Sequence, residues 1–216
     1  MTDFEPTSIS NETFSAAIVE AQGYNQWLIN FYKEFIEGEI LEIGVGHGCF
    51  VDYMPSTVTS YTGFDIDPNL IAWAKNRNPQ ACYIEGDLSS SNFQDVINNK
   101  TFDCILCINV LEHIEDHQKA LQNMLRALNV KGKILLFVPA FMNLYQDMDK
   151  LAGHYRRYRI GDVQKLCEAS GGEISKWAYF NPIGGIGWWV NKFRSHTNLN
   201  DPHINKQIRF FEKYIF

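Results

Sequence analysis

Residues 41–49 read LEIGVGHGC, with Gly44, Gly46 and Gly48 at alternate positions. Glycine is costly inside regular structure. Three so close together point to a backbone that turns tightly or lets another group come near. The run in front of them, EILEIG, reads as a short apolar strand ending in the first glycine. Downstream the same grammar repeats. VTSYTGFDID reads as a second strand ending in acids, ACYIEGD as a third, FDCILCINV as a fourth and KGKILLFVP as a fifth, opened by a Lys-Gly turn and stopped by Pro139. Helix-like stretches at 47–55, 68–77, 89–98 and 116–129 lie between them. Near-continuous apolar strands alternating with helices predict an α/β fold with a parallel sheet covered on both faces.

Residues 12–37, with the aromatic-rich stretch YNQWLINFYKEF, read as one or two helices. After Pro139 the rhythm changes. Residues 140–159 look like an irregular insertion, 160–170 like a helix, GEISKWAYF like a sixth strand and INKQIRFFEKYIF like a final helix. There is no linker and no internal repeat. The expectation is one domain over 1–216: a helical cap at 1–37, a cofactor-binding core at 38–140 and an acceptor-side segment at 141–216. The fold class is a single Rossmann-like, doubly wound, mostly parallel sheet with helices on both faces.

The chain has 216 residues, 45% of them hydrophobic, and a formal net charge of −6. That suffices for one well-buried domain. An acidic balance argues against nucleic acid as a partner, because phosphate binding needs a basic face. The longest apolar runs, ILLFVPAFM and YFNPIGGIGWWV, fall short of the roughly 20 residues of a membrane span. MTDFEPTSIS lacks the basic start and apolar core of a secretory leader, so the sequons at Asn11 and Asn99 read as chance and the location as cytoplasmic. Cys104 and Cys107 form a C-x-x-C, but they lie inside an apolar strand where residues three apart face opposite ways. No second pair completes a zinc site, so the plainer reading is buried thiols and no metal.

In an open parallel sheet, ligands bind beyond the carboxyl ends of the strands. Gly44, Gly46 and Gly48 stand there, as do Asp65 and Asp67, Asp87, and Asn109, after four successive strands. Any one reads as a turn residue; in register they read as a site. A dinucleotide site needs G-x-G-x-x-G, whereas Cys49 occupies the last of those positions here. The carboxylates of Glu42 and Asp87 suit a cofactor with an amino group and a sulfonium better than a pyrophosphate, since like charges repel.

ILEIGVGHGCF, GFDID, IEGDL, FDCILCINVLEHIEDHQKAL and KGKILLFVP, in that order over about residues 38–140, resemble the motifs of class I S-adenosylmethionine-dependent methyltransferases. GHYRRY and YFNPIGGIGWW resemble a bacterial subgroup acting on small molecules. The resemblance implies S-adenosylmethionine as cofactor and S-adenosylhomocysteine as product. Gly44 and Gly46 would let the backbone approach the methionine part. Asp65 would hold the ribose hydroxyls with Ile66 on the adenine, and Asp87 would accept from the adenine amine with Leu88 beside it. Asn109 and Val110 would line the methionine side, Glu42 would supply its carboxylate, and Tyr24 would close over the cofactor or pack on the sheet. The family's seventh strand has no counterpart in the sequence.

Methyl transfer from a sulfonium needs alignment and exclusion of water, and a hydroxyl acceptor also needs a base. His113, His117 and His154 are the candidates. His113 and His117 are four apart, but Glu115 and Asp116 between them favour a solvated helix start over a metal pair. His113 and His154 are therefore the catalytic candidates. Tyr145, Tyr155, Arg156 and Trp188 are expected to line a pocket built from 140–160 and 181–196, with the alternative that Trp188 and Trp189 pack on the core or form a homodimer contact. The partner is expected to be a small-molecule acceptor, a sugar or natural-product-like compound methylated on O or N. The Asp/Asn-Pro-Pro-Tyr and Pro-Cys motifs of base methyltransferases are missing after strand four. An NAD- or nucleotide-sugar-dependent oxidoreductase and a non-catalytic cofactor-binding subunit remain as alternatives.

Overall fold

The computed structural model describes residues 21–181, the short pairs 184–185 and 188–189, and 202–214. Residues 12–20 of the expected N-terminal helices and much of the stretch 181–196 lie outside the described residues. The elements run α1 (Gln22–Tyr32), β1 (Gly38–Ile43), β2 (Val58–Asp65), α2 (Pro68–Arg77), β3 (Cys82–Glu85), α3 (Phe93–Val96), β4 (Phe102–Ile108), α4 (His117–Arg126), β5 (Leu128–Phe137), α5 (Asp147–Leu151), α6 (Ile160–Ser170) and α7 (Pro202–Tyr214). The five strands form one sheet in the order β3-β2-β1-β4-β5, every pair parallel. All carboxyl ends therefore open on one edge.

Alternation along each strand divides the core in two. Leu41, Ile43, Phe64, Ile105 and Cys107 pack on one face with Phe93, Phe102, Leu121 and Met124. Ile40, Tyr61, Cys104 and Leu106 face the other way, toward Leu28, Ile29, Ile71 and Ala74. Cys104 and Cys107 thus sit on opposite faces, both buried, and form no pair. Helix starts follow local chemistry. Asp67 accepts from the Asn69 amide at 2.8 Å in front of α2, where Pro68 takes the first turn, and Asp116 accepts from the Lys119 amide at 3.0 Å in front of α4. Gly171, at φ +88°, ends α6.

Two sequence expectations are corrected. The stretch 47–55 yields only a 3₁₀ turn at Phe50–Tyr53, because the glycine loop uses up the residues before it. GEISKWAYF does not form a sixth strand: residues 172–180 carry no strand, and Trp177 and Tyr179 are exposed. A strand needs a hydrogen-bonding neighbour. This segment is held instead by rings, with Phe180 against Trp27, Phe31 and Phe137 at centroid distances of 3.8, 4.9 and 5.5 Å. At the other end of the chain, Glu212 of α7 accepts from the amides of Gly23 and Tyr24, two of the open N–H groups at the start of α1.

Candidate active site

The glycine loop leaves β1 with Gly44, Gly46 and Gly48 all at positive φ. The Gly44 and Val45 amides donate to the Phe64 carbonyl at 2.8 and 3.1 Å, which sews the loop to the end of β2. A Cβ on Gly44 would run into the Val110 side chain. Asp65 is buried and accepts from the Gly46 amide at 2.9 Å and the Asp67 amide at 3.0 Å, one on each oxygen. The Ile66 amide adds a further backbone bond, which still leaves lone-pair capacity on the carboxylate for a ligand hydroxyl. Beside it Ile66 is 67% exposed, an apolar platform at the rim. Asp87 is exposed and accepts from the Ser89 amide at 2.8 Å, and Leu88 is buried under it. Asn109 adopts φ +52°, a left-handed turn that Asn tolerates, and with Val110 it closes the row at the end of β4. These residues fit a nucleoside-bearing ligand: a buried carboxylate with spare lone pairs, an exposed apolar platform and a loop whose backbone is bare.

Glu42 lies under the loop, fully buried, and the Tyr61 hydroxyl donates to it. Burial pushes its carboxyl up to about 8, and the nearby Asp65 adds to this while the Tyr61 bond opposes it. The folded state therefore holds a proton that the unfolded chain releases near 4.5, so this group lowers stability progressively as pH rises from about 4.5 to 8. Glu42→Gln is expected to raise the melting temperature at pH 8 more than at pH 5, which thermal melts across that range will check. Equal shifts at both pH values would contradict it. Tyr24 is half-buried, its ring 6.1 Å from Trp27, and burial raises its hydroxyl.

The second group of side chains comes from the segment after β5. Its backbone is tied to the same edge. The Tyr155 amide donates to the Glu112 carbonyl at 2.8 Å, and the Tyr158 amide to Pro139 at 2.9 Å. Asp149, fully buried on α5, accepts from His154 Nδ1 at 2.9 Å, from Arg157 Nε at 2.8 Å and from the Gln146 amide at 2.9 Å. Burial alone would raise its carboxyl, but His154 and Arg157 outweigh that and hold it below the ordinary range. An ionised carboxylate only accepts, so Nδ1 carries a hydrogen, and in the neutral tautomer this leaves Nε2 with the lone pair. That Nε2 stands 4.0 Å from Glu112 Oε1. The His113 ring lies edge-on to His154 at 4.6 Å. Burial and the neighbouring His154 lower His113 to about 4, partly offset by a hydrogen bond to the Ala152 backbone.

The structure brings His113 and His154 together but separates His117. It starts α4, and its Nδ1 is 2.9 Å from the Tyr158 hydroxyl. Tyr145 supports His154 by donating to its carbonyl at 2.6 Å. Arg156 is engaged elsewhere, donating to the carbonyls of Ile114 and Glu115 at 2.7 and 3.0 Å, while Tyr155 is exposed. Trp188 packs on Met148 and lies 5.0 Å under the Arg157 guanidinium. Glu112, Asp149 and Arg157 complete this group without having stood out in the sequence. Only the GHYRRY arginines hinted at one of them. An open hollow of about 440 Å³ along Val58–Thr62 of β2 and Asn78–Cys82 contains none of these groups.

Residues 41–136 match the family model described as "Methyltransferase domain". The match runs from within β1 to within β5 and takes in the glycine loop and the carboxyl ends of β1 to β4. It is 33% identical over 130 residues to an uncharacterised protein of Methanocaldococcus jannaschii, covering 53% of each chain. It is 26% identical over 105 residues to the ubiquinone biosynthesis O-methyltransferase of Rickettsia bellii, covering 47% of this chain and 42% of that one. The chain thus spans about half the length of the curated relatives it matches. Its fold resembles that of the YcgJ protein of Bacillus subtilis, with TM-score 0.59 and 20% identity, covering 86% of this chain and 82% of that one.

Proposed function

We propose that this methyltransferase moves a methyl group from S-adenosylmethionine to a hydroxyl oxygen of a small molecule. The observation that carries the reading is the Glu112–His113–His154 cluster, supported by Asp149, on the same sheet edge as Gly44, Asp65, Asp87 and Asn109. S-adenosylmethionine, when bound, supplies a methyl on a positively charged sulfur that leaves as a neutral thioether. Asp65 accepts from the ribose hydroxyls, Ile66 and Leu88 flank the adenine, Asp87 accepts from its amine, and the bare loop at Gly44 and Gly46 passes the methionine part. The acceptor hydroxyl meets His113 and His154, the second fixed by Asp149, and gives up its proton there, a demand that a neutral amine does not make.

Four buried polar atoms here lack a partner among the described residues: both Glu112 oxygens, Gln146 Oε1 and Trp188 Nε1. Such atoms are costly to bury unpaired, which supports a polar acceptor beside them. Tyr145 positions His154, and Trp188 with the exposed Tyr155 borders the acceptor. The Rickettsia relative is an O-methyltransferase, which supports the same choice. The net charge of −6 favours a small molecule over nucleic acid. A mass-shift screen with isotope-labelled S-adenosylmethionine and paired hydroxyl and amine compounds tests the reading. Label is expected on hydroxyl compounds, and transfer to amines alone would overturn it.

A further inference from the structure

We propose that Glu112, His113 and His154 bind a divalent transition cation that holds and acidifies the acceptor hydroxyl. The inference rests on the hydroxyl reading above for its chemistry, but the site itself stands on geometry. One donor atom from each residue lies within 4.8 Å of the other two. Bonds of about 2.1 Å place tetrahedral ligands about 3.4 Å apart, so the three side chains need to close by roughly 1 Å. They hang from the 3₁₀ turn Leu111–His113 and from the segment tied to it through Tyr155, so small rotations are enough.

The second observation is Glu112 itself. It is fully buried, both oxygens lack a partner among the described residues, and it faces the two imidazoles. A buried carboxylate is kept where something pairs with it. The nearest fixed cation, Arg157, is spent on Asp149 and makes no hydrogen bond to Glu112. The support around the donors is that of a metal centre. Asp149 accepts a hydrogen bond from His154 Nδ1, which fixes the ring and aims Nε2 at Glu112, and Arg157 anchors Asp149 in turn. Two imidazoles and one carboxylate suit a borderline cation such as Zn²⁺ or Co²⁺ more than Mg²⁺, and three protein donors leave a position open.

That open position defines the chemistry. The acceptor hydroxyl binds the cation and loses its proton to solvent water. An oxygen lone pair then forms the O–C bond to the methyl carbon as the S–C bond breaks. The S–C electron pair stays on sulfur, giving the neutral thioether.

Titration of Co²⁺ into the metal-stripped full chain, followed by visible absorption and by thermal melts, tests the site without any acceptor. One equivalent is expected to bind, give the d–d bands of a low-coordinate site, raise the melting temperature and be displaced by Zn²⁺. Glu112→Gln and His154→Ala should each abolish the bands and the thermal shift, Asp149→Asn should weaken binding about 10- to 100-fold, and His117→Ala should bind as the parent does. Glu112→Gln keeps the side chain's size and breaks no hydrogen bond among the described residues, so it should fold about as stably as the metal-free parent. Absence of saturable Co²⁺ binding, or equal binding by Glu112→Gln and His154→Ala, would overturn the site. Full hydroxyl methylation by chelated protein would overturn the cation's role while leaving the transfer to oxygen intact. Co²⁺ bound at the cluster of a protein that methylates only amines would do the reverse.

Discussion

Asp149→Ala is expected to lower the melting temperature by on the order of 10 °C and to abolish turnover. The carboxylate is fully buried and serves three partners: His154, Arg157 and the Gln146 amide. Its removal strands a guanidinium whose side chain is 7% exposed, and breaking a buried pair from one side costs about 3–5 kcal/mol. At this chain length each kcal/mol moves the midpoint by roughly 2–4 °C. The double variant Asp149→Leu with Arg157→Met removes both charges and should recover most of the stability, because no unpaired ion is left behind. It should remain inactive, since His154 has lost the group that fixes its tautomer. Thermal melts and turnover of the single and double variants separate the two roles. A single variant that melts with the parent would show that the pair is not buried as described.

Gly44→Ala should be the most damaging single methyl in the cofactor loop. Gly44 sits at φ +70°, where an L side chain costs about 1–2 kcal/mol, and its Cβ would also meet Val110. Overpacking adds about 1–3 kcal/mol. Gly46→Ala is the matched comparison. Its φ of +52° carries the same strain, but its Cβ would meet only the Gly44 carbonyl at 3.9 Å. Chemical denaturation should therefore rank Gly44→Ala below Gly46→Ala by about 1–3 kcal/mol. Equal losses would mean that Val110 yields and the loop is less tightly held.

The sheet was legible because its signal is local. The strands stop at or just before Gly44, Asp65, Gly86, Asn109 and Pro139, and a parallel sheet of short strands puts every carboxyl end on one edge. That is why Asp65, Asp87 and Asn109 were readable as partners of the glycine loop without any contact being known. The segment 172–180 looked like a strand by composition, but strand formation depends on a neighbour that composition does not reveal. Rings on α1 and β5 claimed it instead. The acceptor side was half legible. His113 follows β4 closely and His154 lies in an arginine-rich turn, so both stood out. Their meeting depends on how residues 145–158 fold back, and nothing local marks Asp149 or Glu112 among the other acids. For His113 and His117 the acids between them were a better guide than the i, i+4 spacing, because Asp116 starts the helix there.

Calorimetric titration of the full chain with S-adenosylmethionine, set beside NAD and repeated on Asp65→Ala, tests the cofactor site most directly. One S-adenosylmethionine per chain is expected, with no heat from NAD and a loss of about 1–3 kcal/mol in Asp65→Ala, whose missing carboxylate leaves ribose hydroxyls unpaired. Binding of NAD in place of S-adenosylmethionine, or undiminished binding by Asp65→Ala, would contradict the site as built here.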